Sequence, residues 1–106
     1  MVTIQLDKER HLHYGVKAFI CIEKNAGVPL EQLDFNLQES IMILILGGLI
    51  HEDRKLTLDG VINLIEDKVE KLMEAEGLAF MVAYGKVMEE LGNAIGEAMG
   101  GEVETP

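Results

Sequence analysis

Residues 37–51 read LQESIMILILGGLIH and contain an apolar run of ten residues, 41–50. A helix over this run is apolar around its whole circumference, so other elements have to cover it on almost every side. The alternating isoleucines of the run would also suit a buried strand, and periodicity alone does not separate the two cases. Asp34 or Asn36 can cap a helix that starts here, and Asn36 with Glu39 has capping-box spacing. We therefore predict a central helix over residues 37–51.

The chain before this segment predicts a hairpin and one more helix. Apolar and polar residues alternate in VTIQL (2–6) and in HLHY (11–14), on either side of the charged stretch 7–10. This pattern is typical of two strands joined by a polar turn. The period then becomes helical over residues 16–26, and Gly27 supplies a stop.

The chain after it predicts two amphipathic helices. Thr57 is placed to cap the first, which continues to a break at Gly77, and the second covers residues 78–99. On a helical wheel the apolar side chains of the second helix fill one continuous arc, made of Phe80, Met81, Tyr84, Val87, Met88, Leu91, Ala94, Ile95, Ala98 and Met99.

Length and composition fit one small domain. The chain has 106 residues, 48% of them hydrophobic, and a folded chain of this size removes roughly two-thirds of its unfolded surface from water. We therefore expect a mainly α (α+β) domain over residues 1–100, with an N-terminal β-hairpin followed by about four helices. Residues 101–106 are expected to form a flexible tail.

The charge and the apolar runs exclude several classes of partner. A net charge of -10 disfavours nucleic-acid backbones, which reward clustered Lys and Arg. The first ten residues lack the uninterrupted apolar region of an export signal, and the run 41–50 is shorter than the about 20 residues that cross a bilayer. We expect a cytoplasmic protein that binds neither nucleic acid nor membranes.

Residues suited to metal binding or catalysis are few. His11 and His13 share one face of a strand, and His51, Glu52 or Asp53 could complete a metal site, but nothing in the sequence brings these segments together. The single cysteine has no cationic neighbour, the single serine lies outside a G-x-S-x-G turn, and the glycine pairs match no phosphate-binding loop. We expect no catalytic residue, metal or cofactor, and no enzymatic activity.

The last helix carries the candidate binding surface. Flexible Met side chains repack against varied apolar partners, although a Met stripe is also common in cores. The predicted partner-binding residues are Phe80, Met81, Tyr84, Met88, Leu91, Ile95 and Met99. At one edge of the arc we predict close packing by a helix of this chain or of another chain, at Gly85, Gly92 and Gly96.

The block LQESIMILILGGLIHEDRKLTLDGVINLIED, residues 37–67, joins an apolar helix with small residues near its end to a short polar loop and a Thr-capped helix. Together with the preceding hairpin and the helix that ends near a glycine, this order resembles the tail assembly chaperones of long-tailed bacteriophages. The resemblance covers residues 2–75 and implies a non-enzymatic chaperone, made in the cytoplasm of an infected bacterial host, that binds and solubilises the tape measure protein.

In that family a ribosomal frameshift often produces a longer form, which brings the tail tube protein to the tape measure protein. This chain resembles the short form. Homo-oligomers are a further expectation.

Two alternative functions stay open from the residues alone. One is a plain homodimeric helical module with the glycine edge at its twofold axis. The other is a DNA-mimic inhibitor, whose carboxylates would come from Glu66, Asp67, Glu70, Glu74, Glu76, Glu89, Glu90 and Glu97.

Overall fold

The computed structural model describes residues 1–100, and in them a two-stranded antiparallel hairpin precedes four helices. The elements are β1 (Val2–Gln5), β2 (Glu9–Leu12), α1 (Val16–Ala26), α2 (Gln38–Leu49), α3 (Leu58–Glu76) and α4 (Phe80–Ala98), with a short 3₁₀ turn (Leu30–Gln32) after α1. The predicted fold class is confirmed. The predicted flexible tail, 101–106, lies outside the described residues. No helix in residues 1–100 combines the length and apolar character needed to span a membrane.

Helix α2 is the centre of the fold. It packs against α1, α3, α4 and β2, and every residue from Ile43 to Leu49 is buried. The apolar run is therefore a helix covered on all sides rather than a strand, as its all-round apolar pattern requires.

Two adjacent glycines let neighbouring elements approach α2 closely. A Cβ atom at Gly47 would lie 2.5 Å from Ile22 Cγ1 and 3.1 Å from the carbonyl oxygen of Ala18 in α1. A Cβ atom at Gly48 would lie 2.7 Å from Leu12 Cδ2 at the end of β2. Distances this short leave no room for a side chain, so the packing of α1 and of the hairpin depends on both glycines.

Hydrogen bonds fix the end of the hairpin on the same stretch of α2. The backbone N–H of His13 donates to the carbonyl oxygen of Gly48 at 2.9 Å, and the Tyr14 hydroxyl donates to the carbonyl oxygen of Leu44 at 2.6 Å. Burial raises the pKa of Tyr14 well above its ordinary value. The hydroxyl therefore remains a donor at all physiological pH values.

The strand boundaries of the hairpin differ from the prediction. Strand β2 begins at Glu9, and Ile4 pairs with Arg10, so Arg10 points to the inner face. Its guanidinium is buried because it donates to both carboxylate oxygens of Asp7, at 2.7 and 3.0 Å, and to Asp53 at 3.4 Å. The hydrogen bonds that Arg10 donates to Asp7 are the main reason that the pKa of Asp7 lies below its ordinary value. The charged stretch is thus partly strand, because paired carboxylates allow the cation to be buried.

The predicted cap of α2 is wrong, whereas the boundaries of α1 and α3 are confirmed. Leu37 occupies the N-cap position and no side chain caps this helix. Asp34 instead accepts from the backbone N–H of Asn36 at 2.9 Å, in a local turn before the helix. Thr57 caps α3 as predicted, and Gly27 ends α1 with a φ of 76°.

Candidate functional site

Helix α4 buries part of the predicted binding set. Leu91 and Ile95 are only 0% and 5% exposed and belong to the core, so their assignment to a partner-binding surface is corrected. The core-facing side of α4 also includes Ala83 and Val87. On the helical wheel Ala83 lies just outside the predicted arc, at the end opposite Met81. Its burial therefore rotates the core-facing side away from Met81.

The rest of the predicted set reaches the surface in different degrees. Tyr84, Met88 and Met99 are half-buried against the core, whereas Phe80 is 51% and Met81 72% exposed. A surface on α4 is therefore centred on its first turn, and not along the whole helix.

Contacts connect this first turn to the start of α2. The Phe80 and Tyr84 rings are stacked with centroids 5.5 Å apart, and the Tyr84 hydroxyl donates to Gln38 Oε1 at 2.7 Å. Phe35 and Leu37, just before α2, are also more than half exposed. We name this surface the α2–α4 patch and define it as Phe35, Leu37, Phe80 and Met81.

The glycine edge of α4 lacks the close packing that was one of its two predicted readings. Apart from the adjacent residues and the nearby backbone of α4 itself, no atom of the described residues would lie within 4 Å of a Cβ at Gly85 or Gly96. A Cβ at Gly92 would meet Ile41 Cδ1 at an ordinary 3.7 Å. Within residues 1–100, therefore, no helix packs closely there. The alternative of a helix from another chain stays a prediction.

The fold brings together a histidine cluster that the sequence left dispersed. Both ring nitrogens of His11 face carboxylates, Glu52 at 3.2 Å and Glu9 at 3.3 Å, while His51 Nε2 lies 2.7 Å from the carbonyl oxygen of His11. The His13 and His51 rings meet edge to face. The hydrogen bond to Glu52 is the main reason that the pKa of His11 is raised.

This cluster joins the hairpin to the loop after α2 and is not arranged as a metal site. Among residues 1–100, no group of three or more His, Cys, Asp or Glu side chains has the geometry to hold a metal ion. Elsewhere, burial raises the pKa of the Cys21 thiol, which lowers its reactivity. The only serine, Ser40, is buried in α2.

Lysines interrupt the carboxylate rows that a DNA mimic would need. Lys68, Lys71 and Lys86 line the groove between α3 and α4. Lys68 Nζ lies 3.8 Å from a carboxylate oxygen of Glu90, and Lys86 Nζ lies 3.9 Å from one of Glu76. A basic protein groove would meet like charges at this place, which disfavours phosphate imitation.

No protein-family model, curated protein or solved structure matches the chain. The resemblance to tail assembly chaperones therefore stays a prediction made from the sequence. What the structure adds is the α2–α4 patch, whose four large apolar side chains are all more than half exposed.

Proposed function

We propose that this chain is a non-enzymatic chaperone that covers an amphipathic helix of a client protein with its α2–α4 patch. The exposure of Phe35, Leu37, Phe80 and Met81 carries the proposal. Apolar groups left in water forgo roughly 25 cal/mol for each Å² that burial would remove. A client helix that lays its apolar side on this patch buries them, as in helix-in-groove recognition.

The composition of the patch suits a client with many different helical segments. Met81 is unbranched and adapts its shape to varied apolar partners. Beside it, the Phe80 ring is stacked on Tyr84, which is itself hydrogen-bonded to Gln38. An adaptable side chain thus sits next to an aromatic pair that has little freedom to lose on binding.

The family resemblance supplies the identity of the client. Tail assembly chaperones keep the long, helical tape measure protein soluble in the infected host, and the longer frameshifted form brings the tail tube protein. The net charge of -10 is consistent with this task, since an acidic coat keeps client complexes apart and in solution. No catalytic step is part of the proposal.

Co-expression with the tape measure protein encoded by the neighbouring gene tests the proposal. We expect the client in the soluble fraction only when this chain is present, and the two proteins in one peak on size-exclusion chromatography. An equally insoluble client with and without this chain would contradict it.

A matched pair of variants tests the assignment to the patch. We expect Met81→Asp to weaken client binding about tenfold or more, because a carboxylate would be desolvated in an apolar interface. The control is Val82→Asp. Val82 is 50% exposed in the same helical turn, but successive residues of a helix point about 100° apart.

Both substitutions place a carboxylate in the first turn of α4, so both interact favourably with the helix dipole. Circular dichroism of both variants should match the wild type, because both positions are exposed. Equal loss of client binding in the two variants would place the binding surface elsewhere.

A further inference from the structure

A second exposed apolar surface lies along α1. Two adjoining hollows of about 580 Å³ and 440 Å³ run between α1, the end of α2 and the start of α3, and both are lined by Lys17 and Ile50. Val16 and Ile20, one helical turn apart at their rim, are 76% and 60% exposed. We name this surface the α1 groove.

The α1 groove has a charge opposite to that of the whole chain. The chain has 19 Asp and Glu against 9 Lys and Arg, yet among residues 1–100 no Asp or Glu lines either hollow. Lys17, Lys24 and Arg54 line them, together with two histidines. Within the described residues none of these three cations forms a salt bridge.

The positive charge and the apolar lining of the α1 groove together define the kind of partner segment that it can bind. We propose that the α1 groove docks an acidic amphipathic helix of a partner protein, with the partner's apolar side chains on Val16, Ile20 and Ile50. Its carboxylates pair with Lys17, Lys24 and Arg54. Such pairing fixes the orientation and register of the helix and speeds its association.

The spacing of the cations further restricts the sequence pattern of the partner helix. Lys17 and Lys24 are seven residues apart on one face of α1, which is about 10.5 Å along the helix axis. A partner helix lying along α1 therefore matches them with carboxylates two turns apart, and with apolar residues between them. The α2–α4 patch contains no cation among its four residues, so the two surfaces select different partners.

The single cysteine gives a site-specific readout. Cys21 lines the α1 groove and is half-buried, so an occupant of the groove shields its thiol from a small alkylating reagent. The probe, the Glu peptide, is a synthetic 16-residue helical peptide with Leu on one face and Glu on the flanks of that face. The control, the Lys peptide, has Lys in place of every Glu. Because burial raises the thiol pKa, alkylation by iodoacetamide is followed at about pH 9, where thiolate is present.

We expect the saturating Glu peptide to slow Cys21 alkylation about fivefold or more, and the Lys peptide to leave the rate unchanged. An unchanged rate with the Glu peptide, or equal slowing by both peptides, would overturn the proposal.

Charge reversal provides the second test. Lys17→Glu combined with Arg54→Glu should weaken binding of the Glu peptide about tenfold. The control, Lys8→Glu combined with Lys71→Glu, changes the net charge equally at exposed lysines outside the groove. Equal weakening by the two variants would show an effect of net charge alone and overturn the proposal.

Two measurements separate this site from other readings. Met81→Asp, which disables the α2–α4 patch, should leave shielding of Cys21 by the Glu peptide unchanged; lost shielding would place the peptide on that patch and overturn the assignment. By light scattering, Val16→Asp should leave the oligomeric state of the peptide-free protein unchanged. A dimer or larger oligomer that Val16→Asp dissociates would mean that a second copy fills the groove, and would overturn the proposal.

Discussion

Helices α2 and α4 both contain interior glycines, but the surroundings of these glycines are opposite. A Cβ at Gly47 or Gly48 would collide with α1 or the hairpin, whereas a Cβ at Gly85 or Gly96 would meet nothing within 4 Å. Each glycine costs up to about 1 kcal/mol relative to alanine in a helix. In α2 the close approach of neighbouring elements offsets this cost. Within residues 1–100, therefore, glycines mark close packing in the helix that is apolar on all sides, and not at the edge of the apolar stripe of α4.

The largest effect that tests this comparison is expected in α2. Gly47→Ala should lower the free energy of unfolding by about 1–3 kcal/mol even after the gain in helix propensity, because the new methyl overlaps Ile22 and the backbone of α1. Gly48→Ala should behave similarly against Leu12. Chemical denaturation of each variant measures the change, and a variant as stable as the wild type would contradict the packing described for α2.

A double-mutant cycle sharpens this prediction. Ile22→Val removes the Cδ1 atom that would lie 2.9 Å from the Cβ at position 47. We expect the two substitutions together to cost less than the sum of the single costs, with a coupling of about 0.5 kcal/mol or more. Strict additivity would indicate that Gly47→Ala acts through some other contact.

A smaller change of opposite sign is expected in α4. Gly85→Ala and Gly96→Ala should each raise the free energy of unfolding by up to about 1 kcal/mol, since alanine favours the helix and space is open around both positions. Denaturation of the monomer measures this gain. If a helix of another chain packs on this edge, light scattering will also show weaker association in the same variants. A destabilised monomer would contradict the comparison.

The smallest effect concerns the pH dependence of stability. It arises where His11 of the hairpin contacts Glu52, in the loop after α2. Glu52 holds the pKa of His11 above its ordinary value. Protonated His11 therefore contributes stability that is fully present below about pH 6.5, the unfolded value, and lost as the pH rises through the folded pKa. The melting temperature of the wild type should fall slightly over this rise, and that of His11→Asn should fall less. Parallel profiles would show that the pairing contributes nothing.

The pattern of apolar residues was sufficient to predict the order and type of the elements. Thr57 and Gly27 marked helix ends correctly because caps are local features. Asn36 did not cap α2, since an aspartate two residues earlier engages its backbone in a turn. Local signals were thus reliable only where a single cap was available.

Properties that depend on which elements touch could not be predicted. A packing role for Gly47 and Gly48 could not be predicted, because the crossing of α1 and β2 over α2 is a tertiary feature. Likewise His11 and Glu52 are 41 residues apart in sequence, and only the fold brings them together. On α4, the rotation of the core-facing side toward Ala83 leaves Met81 at the surface.

The α2–α4 patch joins two distant parts of the chain through the hydrogen bond between Tyr84 and Gln38, 46 residues apart. A ligand on this patch contacts both the residues before α2 and the first turn of α4. It can therefore bind only while α2 and α3, which lie between them in the chain, are folded. Occupancy should consequently slow amide hydrogen exchange throughout α2 and α3, and raise the global melting temperature with ligand concentration. A thermal-shift screen thus becomes a direct search for the client.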